Sequence, residues 1–219
     1  MNKKTGIVMA GAAVLLLVSY GVASASRAMQ APLKLAPFSA IESLNSGHVT
    51  LRPGSTQRVT MLKGSLEYTR VAVTERGVLV IEKCDVECPR GYELELEILV
   101  PSLARISLAN GGRIQSLGSF PRQGELSVAV SHGGTIDVRS MVADRVTASV
   151  EQGGRILTVP EVRLLASVRQ GGVITYWGKG KVSSSIEHGG VVNRGTAGEL
   201  DLPLSEIGPP LQPRHVRSH

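Results

Sequence analysis

The chain has 219 residues, with 24 Lys and Arg against 18 Asp and Glu, a formal charge of +6. Apolar residues make up 42% and charged residues 19%, a balance that excludes wholesale disorder. The 25 glycines follow no three-residue period, which excludes collagen, and aromatics are only 3%, so any core is aliphatic.

The N-terminus reads as an address. Lys3 and Lys4 precede an uncharged stretch over 6–18, and Val22-Ala23-Ser24-Ala25 places small residues at −3 and −1 of a cleavage site. This predicts a signal peptide over 1–25, removed after Ala25. The alternative is an uncleaved anchor over 6–23, which would then be the chain's one contact with a membrane. No cysteine follows the apolar stretch, so no lipid attachment site is expected. Removal takes two lysines and leaves a charge of +4. The remaining basic residues are scattered, without the cluster that a nucleic-acid face needs.

A short linker is expected over 26–37 and an N-terminal β region over 38–108. Residues 71–73 and 78–81 flank Glu75-Arg76-Gly77 and predict a hairpin. From Tyr92 to Ile98 apolar residues alternate with Glu93, Glu95 and Glu97. At a strand's period of two, these glutamates form one solvated face rather than an acid–base or metal site. Cys84 and Cys88 are expected to form a disulfide, as close cysteines in an exported chain usually do. A redox pair would usually show two intervening residues, and zinc would need two further ligands.

The decisive pattern is a repeat. Five glycine pairs occur, Gly111-Gly112, Gly133-Gly134, Gly153-Gly154, Gly171-Gly172 and Gly189-Gly190, spaced by 22, 20, 18 and 18 residues. Three residues before each first glycine stand Leu108, Val130, Val150, Val168 and Ile186. Three after it stand Ile114, Ile136, Ile156, Ile174 and Val192. No helical period runs through the region. Periods near 20 signal stacked units. The prediction is an all-β fold whose residues 109–204 wind as a parallel β-solenoid, with each glycine pair at a corner that needs positive φ or close approach. An array of antiparallel hairpins is the alternative. The region over 38–108 would cap one end, and residues 196–204 or a partner the other.

The residue before each pair is Asn110, His132, Gln152, Gln170 or His188. Stacked amides and imidazoles at a corner are expected to hydrogen-bond to one another and to turn backbone, forming a structural ladder. A binding row is the other reading. His132 and His188 would lie three units apart, about 14 Å, too far to share one metal ion. The next column is Ala109, Ser131, Glu151, Arg169 and Glu187, in which the charges alternate along successive strands. Past Arg194 the repeat fades, and a disordered tail is expected over 205–219, where His215 and His219 are too few to hold a metal.

Phe38-Ser39-Ala40-Ile41, Val100-Pro101-Ser102-Leu103, the glycine-cornered repeats and Ile174-Thr175-Tyr176-Trp177-Gly178 occur in that order. In these motifs the chain, over roughly 38–194, resembles the autotransporter adhesin head domains of the GIN type found in bacterial exported proteins. The resemblance implies a β-solenoid-like fold outside the cytoplasm, in periplasm or at the cell surface, and supplies no catalytic residue.

No nucleophile elbow, zinc-protease motif or phosphate-binding loop is present. Glu151 and Glu187 would lie about 9.6 Å apart, a separation that can suit an inverting pair, but with Arg169 between them and no two acids on adjacent units the enzyme reading is the poorer one. The expected function is therefore a non-enzymatic, adhesin-like module without cofactor or metal, meeting a cell-envelope glycan or protein. An envelope polysaccharide-active enzyme and a purely structural envelope protein are the alternatives.

Overall fold

The computed structural model describes residues 31–45, 47–84, 87–203 and 206. The expected signal peptide over 1–25 lies outside the described residues, as does the expected tail over 205–219 apart from Glu206. The described strands are β1 (Ala40–Leu44), β2 (His48–Pro53), β3 (Arg58–Lys63), β4 (Thr69–Val73), β5 (Val78–Lys83), β6 (Glu95–Val100), β7 (Arg105–Ala109) and β8 (Arg113–Ser116). They continue as β9 (Gln123–Ser131), β10 (Thr135–Asp137), β11 (Ala143–Glu151), β12 (Arg155–Thr158), β13 (Pro160–Arg169), β14 (Val173–Tyr176), β15 (Lys181–Glu187) and β16 (Val191–Arg194). One short helix, α1 (Ala197–Leu200), follows.

The fold is all-β, with two eight-stranded sheets. The first runs β15-β13-β11-β9-β7-β1-β5-β4 and the second β16-β14-β12-β10-β8-β2-β6-β3. From β7 onward the chain passes from one sheet to the other at every connection. Every strand pair in this region is parallel, not the hairpin array weighed as the alternative. Antiparallel pairing occurs at one end only, where β4 joins β5 and β3 joins β6. The hairpin expected around Glu75-Arg76-Gly77 is the β4–β5 pair, with Val71 opposite Ile81.

The register explains the periodicity. Leu108, Val130, Val150, Val168 and Ile186 form one cross-strand column, and Ile114, Ile136, Ile156, Ile174 and Val192 form another. Strand side chains alternate between faces, so each column points between the sheets. The first four residues of each column are fully buried. Burying an aliphatic side chain contributes about 1.5–3 kcal/mol, and no strand can do so without its neighbours.

Two features were not visible in the sequence. The strands stack out of chain order: β1 lies between β5 and β7, and β2 between β6 and β8. Ser43 of β1 consequently stands in the Leu108 column, against Ile81 on its other side. The expected linker is also engaged: the Leu33 N–H donates to the Val59 carbonyl at 2.8 Å, and Leu33 and Leu35 pack on the core.

Candidate functional site

The corners hold the exposed columns in place. Asn110, His132, Gln152, Gln170 and His188 all adopt positive φ, between 54° and 61°, and the two glycines after each do the same. Each corner is thus three successive left-handed residues, one more than the glycine pairs indicate. Asparagine tolerates this region well, and a single polar residue there is less strained than a β-branched one.

Gly153 and Gly154 show that the two glycines meet different demands. A Cβ on Gly153 would meet nothing within 4 Å, so only its φ of +85° favours glycine. A Cβ on Gly154 would run into Val130 Cγ1 and lie 3.1 Å from the Gly134 carbonyl oxygen, so this position also needs the space.

Backbone hydrogen bonds cross the corners on both sides. The N–H groups of Asn110, His132, Gln152 and Gln170 donate to the carbonyls of Ser131, Glu151, Arg169 and Glu187 at 3.0–3.1 Å. Past the glycines, Thr135, Arg155, Val173 and Val191 donate to Gly112, Gly134, Gly154 and Gly172 at 2.9–3.0 Å. The polar column itself is exposed. A side-chain contact is present at its start, where Asn110 Nδ2 donates to Asn45 Oδ1 at 2.9 Å and Asn45 Nδ2 donates to the Lys83 carbonyl at 3.2 Å. Asn45, with φ of 60°, occupies the matching position between β1 and β2, although Gly47 does not share the positive φ of the paired glycines. It escaped the repeat pattern because Ser46 replaces the first glycine and Ser43 the aliphatic before it. Val49, three residues past Ser46, was the remaining signal.

The corners set the register of the outer face of the first sheet. One outward column is Glu42, Ser107, Ala129, Ser149, Ser167 and Ser185. Beside it runs Leu44, Ala109, Ser131, Glu151, Arg169 and Glu187. From Glu42 and Ser107 to Ser167 and Arg169 the two columns line a shallow groove. Arg169 lies 3.8 Å from Glu151 and 3.3 Å from Glu187, all three about half exposed, so each pair contributes at most about 1 kcal/mol. The two glutamates considered as a catalytic pair therefore share one guanidinium. Toward the strand starts, Arg145 pairs with Glu125 at 3.0 Å. Glu93, Glu95 and Glu97 lie on the second sheet or beside it, bonded to Lys63 at 3.1 and 2.7 Å and to Arg52 at 2.8 Å.

Cys84 and Cys88 are disulfide-bonded, with Cα atoms 5.5 Å apart. So short a loop gains only about 2 kcal/mol in the chain-entropy picture. Among the described residues, no group of three or more His, Cys, Asp or Glu side chains is placed to hold a metal.

A second polar cluster, missed in the sequence, fastens the C-terminal segment. Asp137 and Arg139 form a nearly buried ion pair at 2.7 Å. Arg139 also donates to the carbonyls of Glu199 and Leu200 at 2.7 and 2.9 Å, and its guanidinium lies 5.5 Å from the Trp177 ring centroid. Trp177 Nε1 donates to the Thr196 carbonyl at 2.7 Å. Leu200 and Leu202 cover Leu157, Val159 and Trp177. The segment expected to cap the open end instead lies along the outer face of the second sheet. Thr196 donates to the Glu199 carboxylate from its N–H at 2.8 Å and its hydroxyl at 2.9 Å, holding that carboxyl below its ordinary value of 4.5.

The profile of the family described as "Putative auto-transporter adhesin, head GIN domain" matches residues 37–158, more than half the chain, and the chain belongs to this family. The match ends at Thr158, while the parallel strand pairs continue to β16. Several solved structures are similar. A "putative adhesin" from Bacteroides fragilis is 17% identical, with 75% of this chain and 95% of that one covered, at a TM-score of 0.41. A "putative lipid binding protein" from Parabacteroides distasonis is 15% identical, with 76% and 96% covered, at 0.29. A "putative cell adhesion protein" from Clostridium sporogenes is 11% identical, with 75% and 97% covered, at 0.35. A search of the curated proteins gave no match. Among the described residues, no helix is long and apolar enough to cross a membrane.

Proposed function

We propose that the chain is an exported, non-enzymatic, adhesin-like module, wound as a β-solenoid, whose outer first-sheet face meets a glycan or protein of the cell envelope. Residues 1–25 would serve as its signal peptide, 26–37 as a linker, 38–108 as the region closing one end and 109–204 as the glycine-cornered repeats. Residues 205–219 would be a disordered tail. The polar corner column would act as a structural ladder rather than a binding row.

The observation that carries this reading is the register of the outer face. The stripe of Ser107, Ala129, Ser149, Ser167 and Ser185 is small and polar, and the Glu151–Arg169–Glu187 ladder runs beside it. Parallel neighbours hold both sides of β7, β9, β11 and β13, so the stripe is a rigid surface with little ordering entropy left to lose on binding. Family membership supports an adhesin-like role. Glu151 and Glu187 are both engaged by Arg169, so neither carboxylate stands free to act on a glycan.

The test is binding of the exported chain to purified envelope glycans and envelope proteins, with product analysis alongside. Ser149→Arg and Ser167→Arg, which fill the stripe, should weaken binding at least tenfold. Binding unchanged by both variants would remove the outer face as the contact surface. Turnover abolished by Glu151→Gln would instead establish the enzyme.

A further inference from the structure

The first sheet ends on β15, and nothing among the described residues covers that edge. All seven residues of Lys181–Glu187 are exposed. Two of them belong to the inward aliphatic columns: Val182 is 36% and Ile186 48% exposed, whereas Leu164 and Val168, their partners on β13, are 0% and 1%. The opposite edge is closed differently. On β4, Thr69 is buried and Val71 and Val73 pack against the core. An unpaired edge carrying uncovered aliphatic residues is a template for another strand.

The order of residues on β15 selects that strand. It reads Lys-Val-Ser-Ser-Ser-Ile-Glu. If β15 pairs antiparallel with the same strand of a second copy, about a two-fold axis through Ser184, all seven residues are used. Lys181 then stands opposite Glu187 twice, and Val182 opposite Ile186 twice, with serines between. Directly opposed residues share a face. The aliphatic pairs therefore extend the buried columns into the second copy, and the charged pairs extend the Glu151–Arg169–Glu187 alternation on the outside. An arrangement in which each patch meets itself is closed and stops at two. On the second sheet, β16 ends in Arg194, whose guanidinium lies 5.5 Å from the Tyr176 ring centroid.

We propose that β15 is a homodimerisation edge, pairing antiparallel with β15 of a second copy in the register that sets Lys181 against Glu187. This is independent of what the outer face binds.

The experiment is light scattering and sedimentation of the exported chain over a concentration series. The parent chain is expected as a dimer. Lys181→Glu and Glu187→Lys, each creating two like-charge contacts, should each weaken dimerisation by about tenfold or more. Mixing the two variants should restore a heterodimer, because each then supplies the charge the other lacks, and the double variant should dimerise with itself. Trp177, buried beneath the C-terminal segment, reports by its fluorescence that each variant is folded. A parent that stays monomeric, species that lengthen with concentration, or single variants that dimerise as tightly as the parent would each overturn the proposal.

Discussion

Asn110 donates from Nδ2 to Asn45 Oδ1 at 2.9 Å, joining residues 65 apart in the chain. The bond links two residues of positive φ and ties β7 to β1, the strand inserted between it and β5. At this position backbone conformation and side-chain chemistry make separate demands. Asn110→Gly keeps the left-handed backbone and loses the bond, at a cost of about 1 kcal/mol. Asn110→Val loses both, at about 2–3 kcal/mol. Urea unfolding measures the difference, and equal losses would show that the left-handed φ is not what the position selects.

The two glycines of one corner should separate in the same way. Gly153→Ala meets only its φ and should cost about 1–2 kcal/mol. Gly154→Ala must also displace Val130, so it should cost more, about 3 kcal/mol or above. Adding Val130→Ala removes the side chain in the way, leaving the Gly134 carbonyl. If steric conflict is the cause, the double variant loses less than the two single losses added together.

Ser43 is fully buried and its hydroxyl has no hydrogen-bond partner among the described residues. It faces Ile81 and Leu108 within an aliphatic column. Removing an unsatisfied buried hydroxyl without adding volume is favourable, so Ser43→Ala should stabilise the fold by about 1 kcal/mol. Calorimetry would show a raised melting temperature. A lowered one would mean that the hydroxyl finds a partner in solution.

Trp177, the one tryptophan of the chain, reports on the C-terminal segment that covers it. Glu199 in that segment has its carboxyl held below 4.5, first by the Thr196 N–H and then by the Thr196 hydroxyl. A carboxyl lowered by folding stabilises the folded form above its unfolded value. That contribution disappears as pH falls through the folded value. The segment should therefore loosen only below about pH 4.5, with Trp177 fluorescence shifting toward that of an exposed indole. Glu199→Gln should remove this acid-dependent step. A shift centred near neutral pH would assign it to another group.

Much of the core was legible because a stacked fold repeats its environment. Leu108, Val130, Val150 and Val168 occupy one column, so one pattern recurs at each passage of the chain. The Cys84–Cys88 pairing was legible for a local reason, since the chain's two cysteines lie four residues apart. Asn45 and Ser43 broke the pattern by substitution, and only their neighbours in space show that they belong to it.

The sequence by itself determined which residues of the five glycine-paired units face inward and where their turns fall, because alternation and glycine placement are properties of a few consecutive residues. The tertiary structure alone decided the order of the strands, the course of the C-terminal segment over Trp177, and the bare edge of β15. Each of these depends on which distant surfaces fit. Residues 40–53 carry no mark that they pack between two later segments, and Arg139 carries none that it will hold the carbonyls of Glu199 and Leu200. Such contacts are chosen by competition among all the apolar and polar surfaces of the folded chain, and no local window contains that competition.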